Sequence, residues 1–268
     1  MLMVTELFKP FQPTISETGL SNFGLSLQSL SPSNILKGAV HSYLQITAQR
    51  PTPYPVMPDG SQSIFISPQG SMVGGARLEA YDIQILGPGE YFGIRFYPGA
   101  LRYFFNLDVS EITGHLADQK FFPCRHFGSL HSDIYRRTCF RERAEVCNKW
   151  LLRRYTPQSS FQFDSSLSFI YKSRGNVKVS QLANSVGWSA RHLNRVFLRH
   201  TGLSTKEFCQ IIRIQHVSRQ LYMSPDDSLK TALELGFFDQ SHLLNDFKKH
   251  FSLSPRIFFN RFRSDFYN

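Results

Sequence analysis

Cysteine is scarce: Cys124, Cys139, Cys147 and Cys209 are the only four in 268 residues, and none sits in a C-x-x-C pair. Their spacings suit neither a zinc module nor a disulfide framework, so reduced and mostly buried thiols are expected. No apolar run approaches the length of a membrane span. Met1 to Phe11 lacks a basic stretch followed by an apolar one, which predicts a cytoplasmic chain with no membrane partner. Charged residues make up 19%, too few for a disordered polyelectrolyte, while 41% of residues are hydrophobic, enough for real cores. Catalytic signatures are missing as well. There is no P-loop, no G-x-S-x-G and no H-E-x-x-H, and His41 is the only histidine between Val40 and Phe96. A metal-holding barrel needs clustered His and Glu, so neither an enzyme nor any cofactor is expected.

What the chain does carry is positive charge, +10 in all, unevenly spread. Residues 1–165 hold 15 Lys and Arg against 13 Asp and Glu, whereas residues 166–268 hold 15 against 7. A basic region joined to a near-neutral one points to a polyanion met by the C-terminal part alone. A solvated face or a membrane patch gives the same balance, so pattern has to decide.

The pattern predicts an α+β protein. Residues 1–155 read as a domain for sensing or dimerisation, opened by a Ser-, Pro- and Thr-rich arm or irregular first strands over residues 1–34. Short β-rich runs follow at Ser42–Thr47, Ser63–Ser67, Met72–Gly75, Asp82–Leu86 and Tyr91–Phe96. Turn clusters separate them, notably Pro58-Asp59-Gly60, Gly74-Gly75 and Gly87-Pro88-Gly89. Strands this closely spaced favour a small antiparallel sandwich or cupin-like barrel. Residues 98–155 turn helical. Leu101, Phe104 and Phe105 have helical spacing, and Ser132–Tyr155 predicts one or two helices with Ile134, Val146, Trp150 and Leu151 as apolar stripe and arginines opposite. Residues 156–165 read as a linker, and residues 166–268 as an all-α domain.

That domain holds an internal repeat, Leu182–Ser204 and Thr231–Ser254. Ala183 matches Ala232, Gly187 matches Gly236, Trp188 matches Phe237, Leu193 matches Leu243 and Phe197 matches Phe247. In each copy a small Ala lets two helices cross closely, and the glycine supplies a tight turn where a Cβ is strained. Ser189 and Asp239 are natural N-caps for a second helix, whose inward residues in the first copy are Leu193, Val196 and Phe197. Helix, glycine turn, capped helix is the helix-turn-helix plan. A capping box, Ser204 with Glu207, opens a connecting helix to Leu221 with Phe208, Ile211, Ile214, Val217 and Leu221 as its buried stripe. Ser254-Pro255 starts a last helix.

The outward face of the first copy presents Arg191, Asn194 and Arg195, with no acidic partner, as base readers. Arg199 and His200 lie a turn further on, where phosphate is the better target. The second copy offers Gln240, Ser241, Leu244 and Asn245 as readers and Lys248 and Lys249 for phosphate, with Asp246 expected to weaken that face. In the N-terminal domain Arg77, Arg95 and Tyr81 are candidates for binding an anionic small-molecule effector. The competing reading braces both arginines against a carboxylate such as Asp59.

On these residues, Val177 to Phe262 resembles the AraC/XylS family of bacterial transcription regulators. The segment GFFDQSHLLNDFKKHFSLSP is similar to the family's second-unit signature, and Arg213 falls where the family carries Arg in the connecting helix. Departures are Ser252 for the usual Gly, Thr231 for Ile, Ser228 for an aliphatic residue and Val217 for Ala. The N-terminal region resembles a companion domain found in some of these regulators, on Pro58-Asp59-Gly60, Gly74-Gly75-Ala76-Arg77 and Gly93 to Ala100. The resemblance implies double-stranded DNA read in two successive major grooves and activation through RNA polymerase, with repression as the other mode. It also implies a β-barrel that answers a small effector or forms a homodimer. A non-specific architectural DNA-binding protein stands as the alternative.

Overall fold

The computed structural model describes residues 8–118, 127–157, 160–224 and 233–260. Cys124, Ser228, Thr231 and Ala232 lie outside the described residues.

Among the described residues, a short helix, α1 (Glu17–Ser21), and eight strands open the N-terminal half: β1 (Ser26–Leu30), β2 (Val40–Ala48), β3 (Thr52–Val56), β4 (Gln62–Ser67), β5 (Gly70–Gly74), β6 (Tyr81–Ile85), β7 (Gly89–Phe96) and β8 (Leu116–Asp118). Six form one antiparallel sheet in the order β1-β2-β7-β4-β5-β8, and β3 pairs with β6 in a separate ribbon. Alternation sorts the side chains. Tyr43, Ile64, Ile66, Phe92, Ile94 and Phe96 face a core closed by helices, while Leu44 and Ile46 face Tyr54, Val56 and Ile85 of the ribbon. Among the described residues the six-stranded sheet ends at β1 and β8 and stays open. All five expected strands are present, β1 falls in the stretch read as an arm or irregular first strands, and β3 and β8 are additional. β3 hides behind Pro53 and Pro55. Lying two apart, these place their missing donors on one side of the strand, which a two-stranded ribbon leaves unpaired.

The expected helical stretch after the sheet divides in two, α2 (Phe127–Tyr135) and α3 (Phe140–Leu152), after a short 3-10 turn at Ala100–Tyr103 and another at Val109–Ile112. Ile134, Trp150 and Leu151 are buried as the stripe requires. Not every arginine faces outward, however. Arg143 is buried and donates to Gln45 at 2.8 Å and Glu90 at 2.6 Å, pinning α3 to the sheet.

The C-terminal half runs α4 (Phe161–Lys172), α5 (Val179–Ser185), α6 (Ala190–Thr201), α7 (Thr205–Met223), α8 (Gln240–Phe251) and α9 (Pro255–Asn260). α4 crosses the boundary expected between linker and domain. Phe163, placed in the linker by its polar surroundings, is fully buried and meets Phe197 edge-on at 5.1 Å. The two halves share one core. Phe8 stacks on Tyr171 at 4.9 Å, and Met57 and Ala76 join the cluster around Phe208, Ile211 and Phe247. Of the described cysteines, Cys147 and Cys209 are buried free thiols and Cys139 is exposed.

Candidate nucleic-acid interface

Two glycine turns position the two candidate reading helices. Gly187 and Gly236 hold φ of +71° and +75°, and a Cβ on Gly236 would stand 2.2 Å from the Asn176 amide. Ser189 Oγ then accepts from the His192 amide at 3.2 Å to open α6, and Asp239 Oδ1 accepts from the His242 amide at 2.7 Å to open α8. The corner aromatics Trp188 and Phe237 meet His192 and His242 edge-on at 4.6 and 5.3 Å. Leu193 and Phe197 in α6, and Leu243 and Phe247 in α8, are fully buried, which turns the opposite faces to solvent.

On α6, Arg191 and Arg195 are exposed, and neither joins an ion pair among the described residues. Arg195 donates to His192 Nδ1 at 2.9 Å. Asn194 behaves differently. It is half-buried, and its Oδ1 accepts from the Thr205 amide at 3.1 Å, tying α6 to the first turn of α7. Arg199 is exposed and donates to Asn106 of the N-terminal half at 3.2 Å. On α8, Gln240, Ser241, Asn245 and Lys248 are exposed, while Leu244 is half-buried. Asp246, expected to weaken that face, is drawn off it. Its carboxylate turns inward to Arg213 at 3.5 Å, and the same guanidinium covers the Phe237 ring at 4.6 Å. Arg213 therefore cancels the acid and locks α8 to the connecting helix. That helix opens on the expected capping box, with the Glu207 amide donating to Ser204 Oγ at 3.2 Å and the Ser204 amide to Glu207 Oε2 at 2.8 Å.

The C-terminal ends of both reading helices are held by the N-terminal half, an arrangement the sequence reading missed. Gln62 donates to the Thr201 carbonyl at 3.3 Å, and Thr113 donates to the Gly202 carbonyl at 2.8 Å, where α6 ends. At the end of α8, His250 donates to the Leu78 carbonyl at 2.6 Å while its own carbonyl accepts from the Ala80 amide at 2.8 Å. On the connecting helix, buried Gln215 accepts from the Phe11 amide at 2.6 Å and donates to Pro58 at 2.8 Å. A polar Gln and His within apolar helical stripes were the one available signal, because such groups need partners when buried.

A cavity of about 470 Å³ lies between the six-stranded sheet and the β3–β6 ribbon. Arg77, Tyr81 and Arg95 all line it. Arg95 pairs with buried Asp59 at 2.7 Å, and Asp59 also accepts from Gln12 and from the Ser61 amide, each at 2.9 Å. Its charge is thus matched within the fold, as the bracing alternative had it. Arg77 lies 3.9 Å over the Tyr81 ring and forms no ion pair among the described residues. Burial pushes the Tyr81 phenol up to about 12, so it stays a neutral donor. Among the described residues, no group of three or more His, Cys, Asp or Glu is placed to hold a metal, and no helix is long and apolar enough to cross a membrane.

Comparison with known proteins finds two separate matches along the chain. Residues 182–261 match a family described as a helix-turn-helix domain, and residues 28–118 match one described as a domain of unknown function (DUF6597). The HTH-type transcriptional regulator GlxA of Rhizobium meliloti is 36% identical over 74 residues, 28% of this chain and 23% of the relative. The probable transcription factor PqrA of Proteus vulgaris is 32% identical over 82 residues, 31% of this chain and 67% of the relative. The chain thus spans about a quarter of the first relative and two thirds of the second. Among solved structures, ToxT of Vibrio cholerae O395 aligns over 89% of this chain and 97% of its own, with 12% identity and a TM-score of 0.39.

Proposed function

The chain belongs to the AraC/XylS family of transcription regulators, and from that premise we propose that it reads a specific DNA sequence with both helix-turn-helix units. One observation carries the reading: the N-terminal halves of α6 and α8 stand exposed with Arg191 and Arg195 on one and Gln240, Ser241 and Asn245 on the other. Residues at the start of a reading helix are those that reach base edges. Arginine bonds guanine bidentately, and Gln and Asn pair with adenine, each worth about 1–3 kcal/mol of discrimination. Arg199, Lys248 and Lys249 take phosphates. The two helices enter successive major grooves about one turn, roughly 34 Å, apart. Activation through RNA polymerase and assembly as a homodimer in the cytoplasm complete this reading.

Selection of bound duplexes from a random pool, followed by footprinting, tests it. An asymmetric motif approaching two helical turns is the expected result. Retention of DNA without any motif would move the protein to the architectural alternative.

The cavity supports control by a small effector. Its walls are largely apolar, and among the described residues that line it Arg77 is the cation without a carboxylate partner, so the ligand is an apolar molecule with one anionic group. A thermal-shift series of apolar monocarboxylates against their amides should stabilise the protein only with the acids, and only while Arg77 is present. Equal shifts for acid and amide would remove Arg77 from the site.

A further inference from the structure

Phe238 is 87% exposed, the most exposed large apolar side chain among the described residues. A lone exposed aromatic is ordinary on a protein surface; its position here is not. The first unit turns through Gly187-Trp188-Ser189, with Ser189 as N-cap. The second turns through Gly236-Phe237-Phe238-Asp239, one residue longer, with Asp239 as N-cap. Phe237, 4% exposed, already plugs the corner as Trp188 does in the first unit. The extra residue has no packing duty. It is nonetheless fixed in place, since the Phe238 amide donates to His242 Nδ1 at 3.4 Å and the next residue is the cap of α8.

Phe238 therefore stands exposed just ahead of Gln240 and Ser241, at the N-terminal end of α8, the end that the reading above puts in the groove. This is also the unit whose outward face lacks arginine, so an apolar contact supplies discrimination where a bidentate cation is missing. The major groove offers one apolar feature to such a ring, the 5-methyl group of thymine. We propose that Phe238 packs on a thymine methyl at the edge of the second-unit half-site and makes that base pair part of the recognised sequence. The assignment rests on the DNA-reading proposal above.

Uracil scanning separates the two. Each thymine of the second half of the selected site is replaced singly by uracil, which deletes the methyl and keeps the base pair. Binding is then measured for the full-length protein and for Phe238→Ala and Phe238→Leu. For the unaltered protein, one thymine position or two adjacent ones should lose about fourfold in affinity, the worth of one buried methyl at about 0.8 kcal/mol. Phe238→Ala should lose a similar factor on the thymine site and become indifferent to uracil there, with its salt dependence unchanged because no phosphate contact is involved. Phe238→Leu should retain part of the uracil response. Matching thermal midpoints show that the variants are folded. A uracil effect that persists in Phe238→Ala overturns the assignment, as does a loss by Phe238→Ala that is equal on all sequences. Unchanged DNA binding with reduced transcription would give the ring to a protein partner instead. Failure of the unaltered protein to select any motif overturns the sequence-reading proposal, and this assignment with it.

Discussion

Ser252 ends α8 at φ +56°, in the left-handed region where a side chain crowds the following carbonyl. The corresponding end of α6 is Gly202, at φ +78°. At Gly202 a Cβ would stand 2.2 Å from Thr113 Oγ1, so glycine is needed there twice over, for the turn and for the contact with the N-terminal half. Ser252 meets only the first of these two demands, the conformational one, and Ser252→Gly should stabilise the protein by about 1 kcal/mol. Chemical denaturation checks this; an unchanged midpoint would mean the strain is relieved elsewhere. Asn194 and Arg195 are neighbours with different contacts. Arg195→Ala should weaken specific binding by about 1–3 kcal/mol and relax preference at one base pair. Asn194→Ala instead leaves the Thr205 amide without its acceptor and should lower stability by about 1 kcal/mol, with base preference kept. A base-specific defect in Asn194→Ala together with normal stability would reverse the assignment.

At the scale of elements, α4 separates the expected boundary from the observed one. Its first turn, Phe161-Gln162-Phe163, follows a Thr-, Pro-, Gln- and Ser-rich stretch that reads as a linker, yet Phe163 fills the space between Phe197 and the Arg102 guanidinium, which lies 4.8 Å from its ring. Phe163→Ala in the full chain should therefore cost about 3–5 kcal/mol, the price of a buried aromatic, where a true linker residue would cost almost nothing. Thermal unfolding distinguishes the two outcomes. What was legible in the sequence was whatever is written locally. The capping box at Ser204 and Glu207, the caps Ser189 and Asp239, the glycine turns and the buried stripe of α7 are all set within a few residues of one another. The ribbon strand β3 was not legible, because Pro53 and Pro55 argue against a strand unless its edge position is known. Nor were the bonds from Gln62 to Thr201 and from His250 to Leu78. They join residues 139 and 172 positions apart, and nothing local specifies such a pairing.

At the scale of the whole molecule, three half-buried histidines among the described residues sit where their charged form is disfavoured. His41 lies in the sheet near Arg95, His200 at the end of α6 near Arg102 and Arg199, and His216 on α7 near Arg174 and Arg219. Burial first, and these arginines second, lower all three to about 4 from an ordinary 6.5. A base whose pKa is lowered by folding is protonated more readily in the unfolded chain. The stability it contributes is complete above pH 6.5 and is lost as pH falls toward about 4. Asp164 works in the opposite sense, since burial raises its carboxyl and favours the folded state as acid is added. Below pH 6.5 each histidine removes up to about 1.4 kcal/mol per pH unit, down to about pH 4. The three lie in different parts of the molecule: the sheet, the junction between the halves, and the helix joining the two units. Because the halves share one core, acid should loosen them in a single transition. The thermal midpoint should fall steadily from pH 7 to 5, and His200→Gln should flatten that slope by about one proton's share. A midpoint that holds constant over this range would show that the histidines gain counter-charges in solution, and that the junction between sheet and reading helices is wetter than its packing implies.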